Sequence, residues 1–311
     1  MPKTFIVTGG FGFIGSNLVN ELLAKGRKVI CFDKLTYAAK LEYVRERDSE
    51  NFLFYQEDIT DPTIFERFDW LDDVEGIFNL AAESHVDNSI ANPYPFIDTN
   101  IKGTLNMLEL ARRLNTKMVQ VSTDEVIGSI DDGEATEDFP LITNSSYSAS
   151  KGAAELFCRA YLATHNVNVV ITRCGNNFGP NPHSEKFIPK IIRNALDNEP
   201  IPVYGSGTNI RQWTYVKNHI EDLILIMEHG EKGKTYNVGW GEHYTNNQIV
   251  KLILKKLNKP ESLIKYVEDR KGHDFRYSVR VNDLLLELRK AQDFPYVPFE
   301  HGIDLTLQHS A

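Results

Sequence analysis

The chain has 311 residues with a formal charge of -9 at pH 7, and 41% of its residues are hydrophobic and 25% charged. That size suits two packed units, or one α/β domain carrying a lobe, and the balance excludes both a disordered chain and a membrane protein. The acidity argues against a nucleic-acid surface, although a few local cations and helix N-termini can still hold a small anion.

The N-terminal "MPKTFIVTGG" enters a strand pattern at once, leaving no room for an apolar signal core. No apolar run approaches the roughly 20 residues that span a bilayer. Cys31, Cys158 and Cys174 are far apart and lack metal-like spacing, so they read as buried thiols, no metal is expected, and the expected compartment is the cytoplasm. From there "TFIVTG", "KVICFD", "FLFYQED", "GIFNLAA", "KMVQVST" and "VNVVITRC" alternate with helix-length amphipathic segments. Continuous Val, Ile and Phe runs suit a parallel sheet covered on both faces, a doubly wound Rossmann-like α/β fold that binds ligands at its strand C-termini. Residues 1–175 are expected to form this unit. Beyond "NNFGPNPH" the rhythm breaks into shorter elements, which predicts a smaller α/β lobe over 176–311. The spacing of "YVKNHIEDLILIME" is that of a sheet-packing helix, so a segment near 208–235 is expected to return to the first unit.

Gly9, Gly12 and Gly15 follow the first strand and open the first helix. Bare backbone and a helix N-terminus at that place suit a pyrophosphate. Asp33 closes the second strand, where a carboxylate accepts from ribose hydroxyls and repels a 2′-phosphate, so NAD is expected rather than NADP. Asp58 and Ile59 after the third strand are placed to meet an adenine, and Asp58 alone would equally serve as a turn residue.

Two groups point to chemistry. Tyr147 and Lys151 lie four apart at the start of a helical pattern and share a face. A lysine ammonium near a phenol favours phenolate, making the tyrosine a base for a sugar hydroxyl. Asp124 and Glu125 directly follow Ser122 and Thr123 at the end of "KMVQV". Neighbouring strand residues face opposite sides, so both acids reach one substrate only if the strand stops near Thr123 and turns, as Gly128 allows.

"TGGFGFIGSN", "NLAAESHVDNSI", "DTNIKGT", "STDEV", "YSASKGAAE", "ITRCGNNFGP", "EKFIPKII", "PVYGSG", "IRQWTYV" and "VEDRKGHDFRYSV" run nearly end to end. Together they resemble the nucleotide-sugar branch of the extended short-chain dehydrogenases/reductases, most closely the dTDP-glucose 4,6-dehydratase family. The resemblance implies NAD held by Gly9, Gly12, Phe13, Ile14, Gly15, Asp33, Lys34, Asp58, Ile59, Leu80, Ala81, Ala82, Ser84 and Asn100, together with Tyr147 and Lys151. It implies a nucleotide sugar held by Ser84, His85, Asn176, Asn177, Lys186, Arg211, Arg270 and His273, with Asp87 nearby. It also implies Thr123 on the sugar O4, Asp124 as the acid at O6, Glu125 as the base at C5, and a homodimer joined through helices near 97–114 and 148–164 in a four-helix bundle. Ile127 stands where the family usually has tyrosine, Asn88 where arginine is common, and Gln212 where aspartate often follows the arginine. These departures bear on substrate recognition and leave UDP- and GDP-linked sugars open. A C4 epimerase or C6 decarboxylase shares Tyr147, Lys151 and NAD but has no use for the acid pair, and a non-enzymatic NAD-binding regulator would be free to lose the Tyr and Lys.

Overall fold

The computed structural model describes residues 3–68, 71–182, 186–240, 242–269, 272–293 and 295–309. Its strands are β1 (Thr4–Thr8), β2 (Lys28–Asp33), β3 (Phe52–Gln56), β4 (Val74–Asn79), β5 (Lys117–Thr123), β6 (Val169–Cys174), β7 (Asn176–Phe178), β8 (Ile201–Tyr204), β9 (Ile210–Tyr215), β10 (Thr235–Val238), β11 (His243–Thr245) and β12 (Ile264–Val267). The helices are α1 (Phe13–Ala24), α2 (Ile64–Arg67), α3 (Val86–Ala91), α4 (Tyr94–Phe96), α5 (Thr104–Leu114), α6 (Ser146–His165), α7 (Phe187–Leu196), α8 (Val216–His229), α9 (Asn246–Lys256), α10 (Asp283–Ala291) and α11 (Phe299–Gln308). None of the described helices is long and apolar enough to cross a membrane.

Seven strands form one parallel sheet in the order β10-β6-β5-β4-β1-β2-β3. Both faces are apolar, and alternation along each strand divides them. Phe5 and Val7 join Val29, Cys31, Val119 and Val170 on the face covered by α1, α8 and α10. Ile6, Ile30, Phe32, Met118 and Ile171 join the α5 and α6 side chains on the other. Each such buried side chain contributes about 1.5–3 kcal/mol, so the two faces fix the strand register strongly. The order reverses between β1 and β4, and a cleft opens at the strand C-termini beside that switch.

The returning segment reaches further than the sequence suggested. After α8, β10 pairs in parallel with β6 as the edge of the main sheet, and Leu285 of α10 packs into the same core. "YNV" is buried throughout, as a strand covered by helices must be. The helix expected from residue 97 starts as a π-helical turn, Ile97–Gly103, before α5. Gly103 stands so close to Ile59 that a Cβ there would lie 2.6 Å from its Cδ1.

The smaller lobe has its own core of Phe178, Ile191, Val203, Trp213, Ile249 and Phe299. Its sheets are β11-β9-β7 and β12-β8. One segment sews lobe to sheet. Arg276 and Ser278 carbonyls accept from the amides of Ile130 and Ala135 (2.9 and 3.0 Å), while Phe275 accepts from Ile210 (2.8 Å). Arg276 also donates to the carbonyls of Ile130 and Gly133, both at 2.9 Å.

Candidate active site

The cofactor end is built from strand ends and bare backbone. Gly9 has φ +68, and a Cβ there would lie 2.9 Å from the Ala81 backbone; one at Gly15 would lie 2.1 Å from the Gly9 carbonyl oxygen. Only glycine allows β1, β4 and α1 to meet so closely. Gly12 caps α1 without any side-chain acceptor, so the first-turn amides open onto a cleft lined by Gly12, Phe13 and Ile14, a setting suited to a pyrophosphate.

Asp33 also lines the cleft. Its two carboxylate oxygens accept from the amides of Phe11 (2.9 Å) and Leu35 (2.8 Å), which fix its direction while burial raises its pKa. Lys34 lies 3.7 Å from Asp58 and donates to the Thr99 hydroxyl. Ile59, Leu80, Ala81, Ala82 and Ser84 complete this wall. Behind it the Thr8 hydroxyl donates to Asn79 and accepts from the amides of Leu80 and Ala81. The chemistry of these residues fits a dinucleotide.

Asn100 departs from its expected place. It is buried behind the wall and not among the cleft-lining residues: its carbonyl accepts from the Glu83 amide, and its amide donates to the Glu83 carbonyl and the Ser150 hydroxyl. It pins the loop after β4 to α6.

At the other end β5 stops at Thr123, and a 3-10 turn, Asp124–Ile127, carries both acids away from strand alternation. Gly128 ends that turn at φ +71, where a Cβ would lie 2.5 Å from the Ile142 carbonyl oxygen. Thr123, Asp124 and Glu125 all line the cleft as a result. The Thr123 hydroxyl donates to Asp124 Oδ1 (3.2 Å) and accepts from the Glu125 amide (3.3 Å).

Asp124 is 2% exposed, and its Oδ2 has no partner among the described residues. Burial first, then the neighbouring charge of Glu125, pushes its pKa to about 8, with Arg211 opposing. It is thus a protonated acid near neutral pH, while Glu125 beside it is less buried.

Tyr147 and Lys151 enter from α6, whose first turn is held by a reciprocal Ser145–Ser148 cap. The Tyr147 amide donates to the Ser89 hydroxyl. The expected phenolate is not what this geometry favours. Burial, then Glu125, raises the Tyr147 pKa well above its usual value, and the Lys151 ammonium donates instead to the Val121 carbonyl at 2.6 Å. Burial lowers the Lys151 pKa to about 8.

Asn176, Asn177, Ser84 and Lys186 also line the cleft, and Lys186 reaches across to donate to the Ser84 carbonyl at 2.9 Å. Other expected ligands are not among the cleft-lining residues. His85 accepts from the Asn88 amide and caps α3, so neither it nor Asp87 is among the lining residues. Arg211 is buried outside the lining, donating to the carbonyls of Ile210, Asp274 and Phe275 with its guanidinium over the Tyr277 ring at 4.4 Å. His273 bonds Asp269 at 2.6 Å and meets the Tyr204 ring edge-on. Arg270 lies outside the described residues.

The departures from the family pattern also find their places. Ile127 is buried with Val126, Ile130 and Val279, away from the cleft. Gln212 is fully buried and exchanges both amide bonds with the backbone of Val279. Asn88 is exposed on α3.

Sequence reasoning missed an apolar wall of Phe187, Ile188, Pro189 and Trp213, whose signal was the apolar first turn after Lys186. It also missed Tyr277, which donates to Asp274 at 2.6 Å and whose pKa burial, then the nearby Glu125, raises. The segment holding Tyr277 was visible as "HDFRYSV", but nothing local distinguishes that tyrosine from a core aromatic.

A doubly wound sheet with a glycine turn on α1, an acid ending β2 and a Tyr-Lys pair on α6 defines a dinucleotide-dependent enzyme of the extended short-chain dehydrogenase/reductase type. The chain belongs to the GDP-mannose 4,6 dehydratase family, whose model matches residues 6–291. It is 43% identical to the low-salt glycan biosynthesis protein Agl12 of Haloferax volcanii, over 88% of this chain and 89% of that one. It is 40% identical to the dTDP-glucose 4,6-dehydratase of Xanthomonas campestris, over 98% and 92% of the two chains. Among solved structures, the dTDP-glucose 4,6-dehydratase of Streptomyces venezuelae with NAD bound superposes with a TM-score of 0.92 at 39% identity, covering 98% of this chain and 96% of that one.

Proposed function

We propose that the chain is an NAD-dependent nucleotide-sugar 4,6-dehydratase whose substrate is dTDP-glucose. The observation that carries the reading is the acid pair: a buried, protonated Asp124 beside a less buried Glu125, both lining one cleft. Removing water across C5 and C6 needs an acid at O6 and a base at C5 at the same time, whereas epimerisation at C4 needs neither. The names carried by relatives of about 40% identity support the nucleotide.

When bound, NAD supplies the reversible redox step, oxidising C4 first and reducing C6 last. Thr123 holds the O4 hydroxyl and Tyr147 receives its proton. To act as that base the phenol must first lose its own proton to water, and the positive charge of Lys151, four residues on along α6, favours that loss. With C4 a ketone, C5–H is acidic. Glu125 takes that proton as Asp124 protonates O6 and the C6–O6 bond breaks, releasing water. Glu125 returns its proton to C5, leaving a 4-keto-6-deoxy sugar. Asn176, Asn177 and Lys186 hold the diphosphate and sugar oxygens.

The cofactor belongs to residues 1–175 with the returning segment, and the sugar to 176–311. Exposed Ile97, Leu156 and Phe157 on the π-turn and α6 support a homodimer joined there, and the three buried free thiols suit a cytoplasmic protein. To test the function, dTDP-glucose, UDP-glucose, UDP-N-acetylglucosamine and GDP-mannose are incubated separately with the protein and followed by mass spectrometry. Loss of water from dTDP-glucose is expected; if all four stay intact or change only in stereochemistry, the dehydratase reading fails.

A further inference from the structure

Behind Asn177 lies a histidine that the chemistry above does not use. His219, in the first turn of α8, is fully buried, and its Nδ1 is 3.0 Å from Asn177 Oδ1. The direction of this bond follows from its neighbours. Asn177 Nδ2 donates to the Gly175 carbonyl at 3.0 Å, and a carbonyl can only accept, so the other end of the amide is the oxygen. His219 must then donate from Nδ1. Burial, with the Arg289 charge adding to it, lowers the imidazole pKa to about 3, so the ring carries one proton and Nε2 is bare. That Nε2 is buried and bonds none of the described residues. The ring therefore has one polar engagement among them, and it is with a cleft-lining side chain.

An asparagine amide facing an anion has two orientations that differ in shape hardly at all but oppositely in charge. One presents N–H to the anion, the other a carbonyl oxygen. We propose that His219 is a positioning residue that, with the Gly175 carbonyl, locks the Asn177 carboxamide so that its second Nδ2–H is offered to an anionic oxygen of the substrate diphosphate. This rests on the reading that Asn177 touches the substrate, and it extends that reading to a group outside the cleft. The clamp acts on substrate binding rather than on the acid pair, so its loss appears in KM and hardly in kcat.

The test uses holoenzyme and dTDP-glucose with His219→Phe, His219→Asn, Asn177→Ala and the double variant His219→Phe/Asn177→Ala. Phenylalanine keeps the ring and removes the donor, whereas the asparagine amide restores a donor near the Nδ1 position. His219→Phe is expected to raise KM about tenfold with kcat changed less than about threefold, and His219→Asn to stay within about threefold of the parent. In the double variant the histidine change adds nothing to Asn177→Ala. If Asn177→Ala raises KM and His219→Phe does not, the positioning role is overturned while the substrate reading stands. If Asn177→Ala itself leaves KM unchanged, the substrate reading of Asn177 falls. Should the phenylalanine variant not fold, nitrogen NMR of the parent with labelled histidine decides: a protonated Nδ1 and bare Nε2 support the clamp, and the opposite tautomer refutes it.

Discussion

Replacing Asp124 by asparagine should make the protein more stable as it stops dehydration, and the gain should grow with pH. The carboxyl is fully buried and its pKa stands at about 8 instead of 3.8. About four decades of proton affinity at about 1.4 kcal/mol each amount to a cost of ~6 kcal/mol once the pH exceeds both values. For a carboxyl whose folded pKa is raised, the sign is as follows. Below the unfolded value both states hold the proton and nothing is lost. As pH rises through 3.8 the unfolded chain ionises while the folded one does not, so stability falls until about pH 8. Asparagine has no such proton to keep.

Urea unfolding of parent and Asp124→Asn at several pH values between about 5 and about 8 measures this. The stability difference should widen by about 1 kcal/mol per pH unit in favour of the variant. Asp33, Asp222 and Glu221, whose pKa values burial also raises, are present in both proteins and cancel in the difference. A difference that does not change with pH would mean that Asp124 is ionised in the folded protein, and would refute its assignment as the acid.

Glu125→Gln should keep C4 oxidation but slow water loss by about 10²-fold or more, so that reduced cofactor accumulates during turnover and its absorbance rises. Gly128→Ala forces a Cβ into the Ile142 carbonyl at a positive φ, and should cost at least ~1–2 kcal/mol in urea unfolding as well as displacing the acid pair. Glu155 and Arg173 form a fully buried ion pair, 2.8 Å at its shortest. Arg173→Met alone should cost about 3–5 kcal/mol of stability, and Arg173→Met with Glu155→Leu should recover most of it.

The sheet was legible because each strand announces itself in a few consecutive residues, and the glycine turn and Asp33 are equally local signals. The acid pair was legible in part: the sequence required a turn after Thr123, and the 3-10 turn closed by Gly128 supplies it. What could not be read were roles set by distant partners. Asn100 is claimed by Glu83 and Ser150, and Arg211 by the carbonyl of Asp274, 63 residues on. Protonation was hidden for the same reason. The Tyr-Lys spacing says that the two groups share a helix face, but burial and nearby carboxylates decide where the proton sits. Ile127 and Gln212, read as departures at the substrate, instead face inward, where an apolar cluster and the Val279 backbone hold them.

The segment that sews the lobe to the sheet also sets a schedule. Arg276 closes onto Ile130, 146 residues earlier in the chain and just beyond the acid pair. During synthesis at about 5–20 residues per second, β1 to β6 and the glycine turn can assemble well before that segment leaves the ribosome. The nascent protein would then hold a dinucleotide site for many seconds before the loop beside its acids was fixed. Catalytic competence would arrive nearly last.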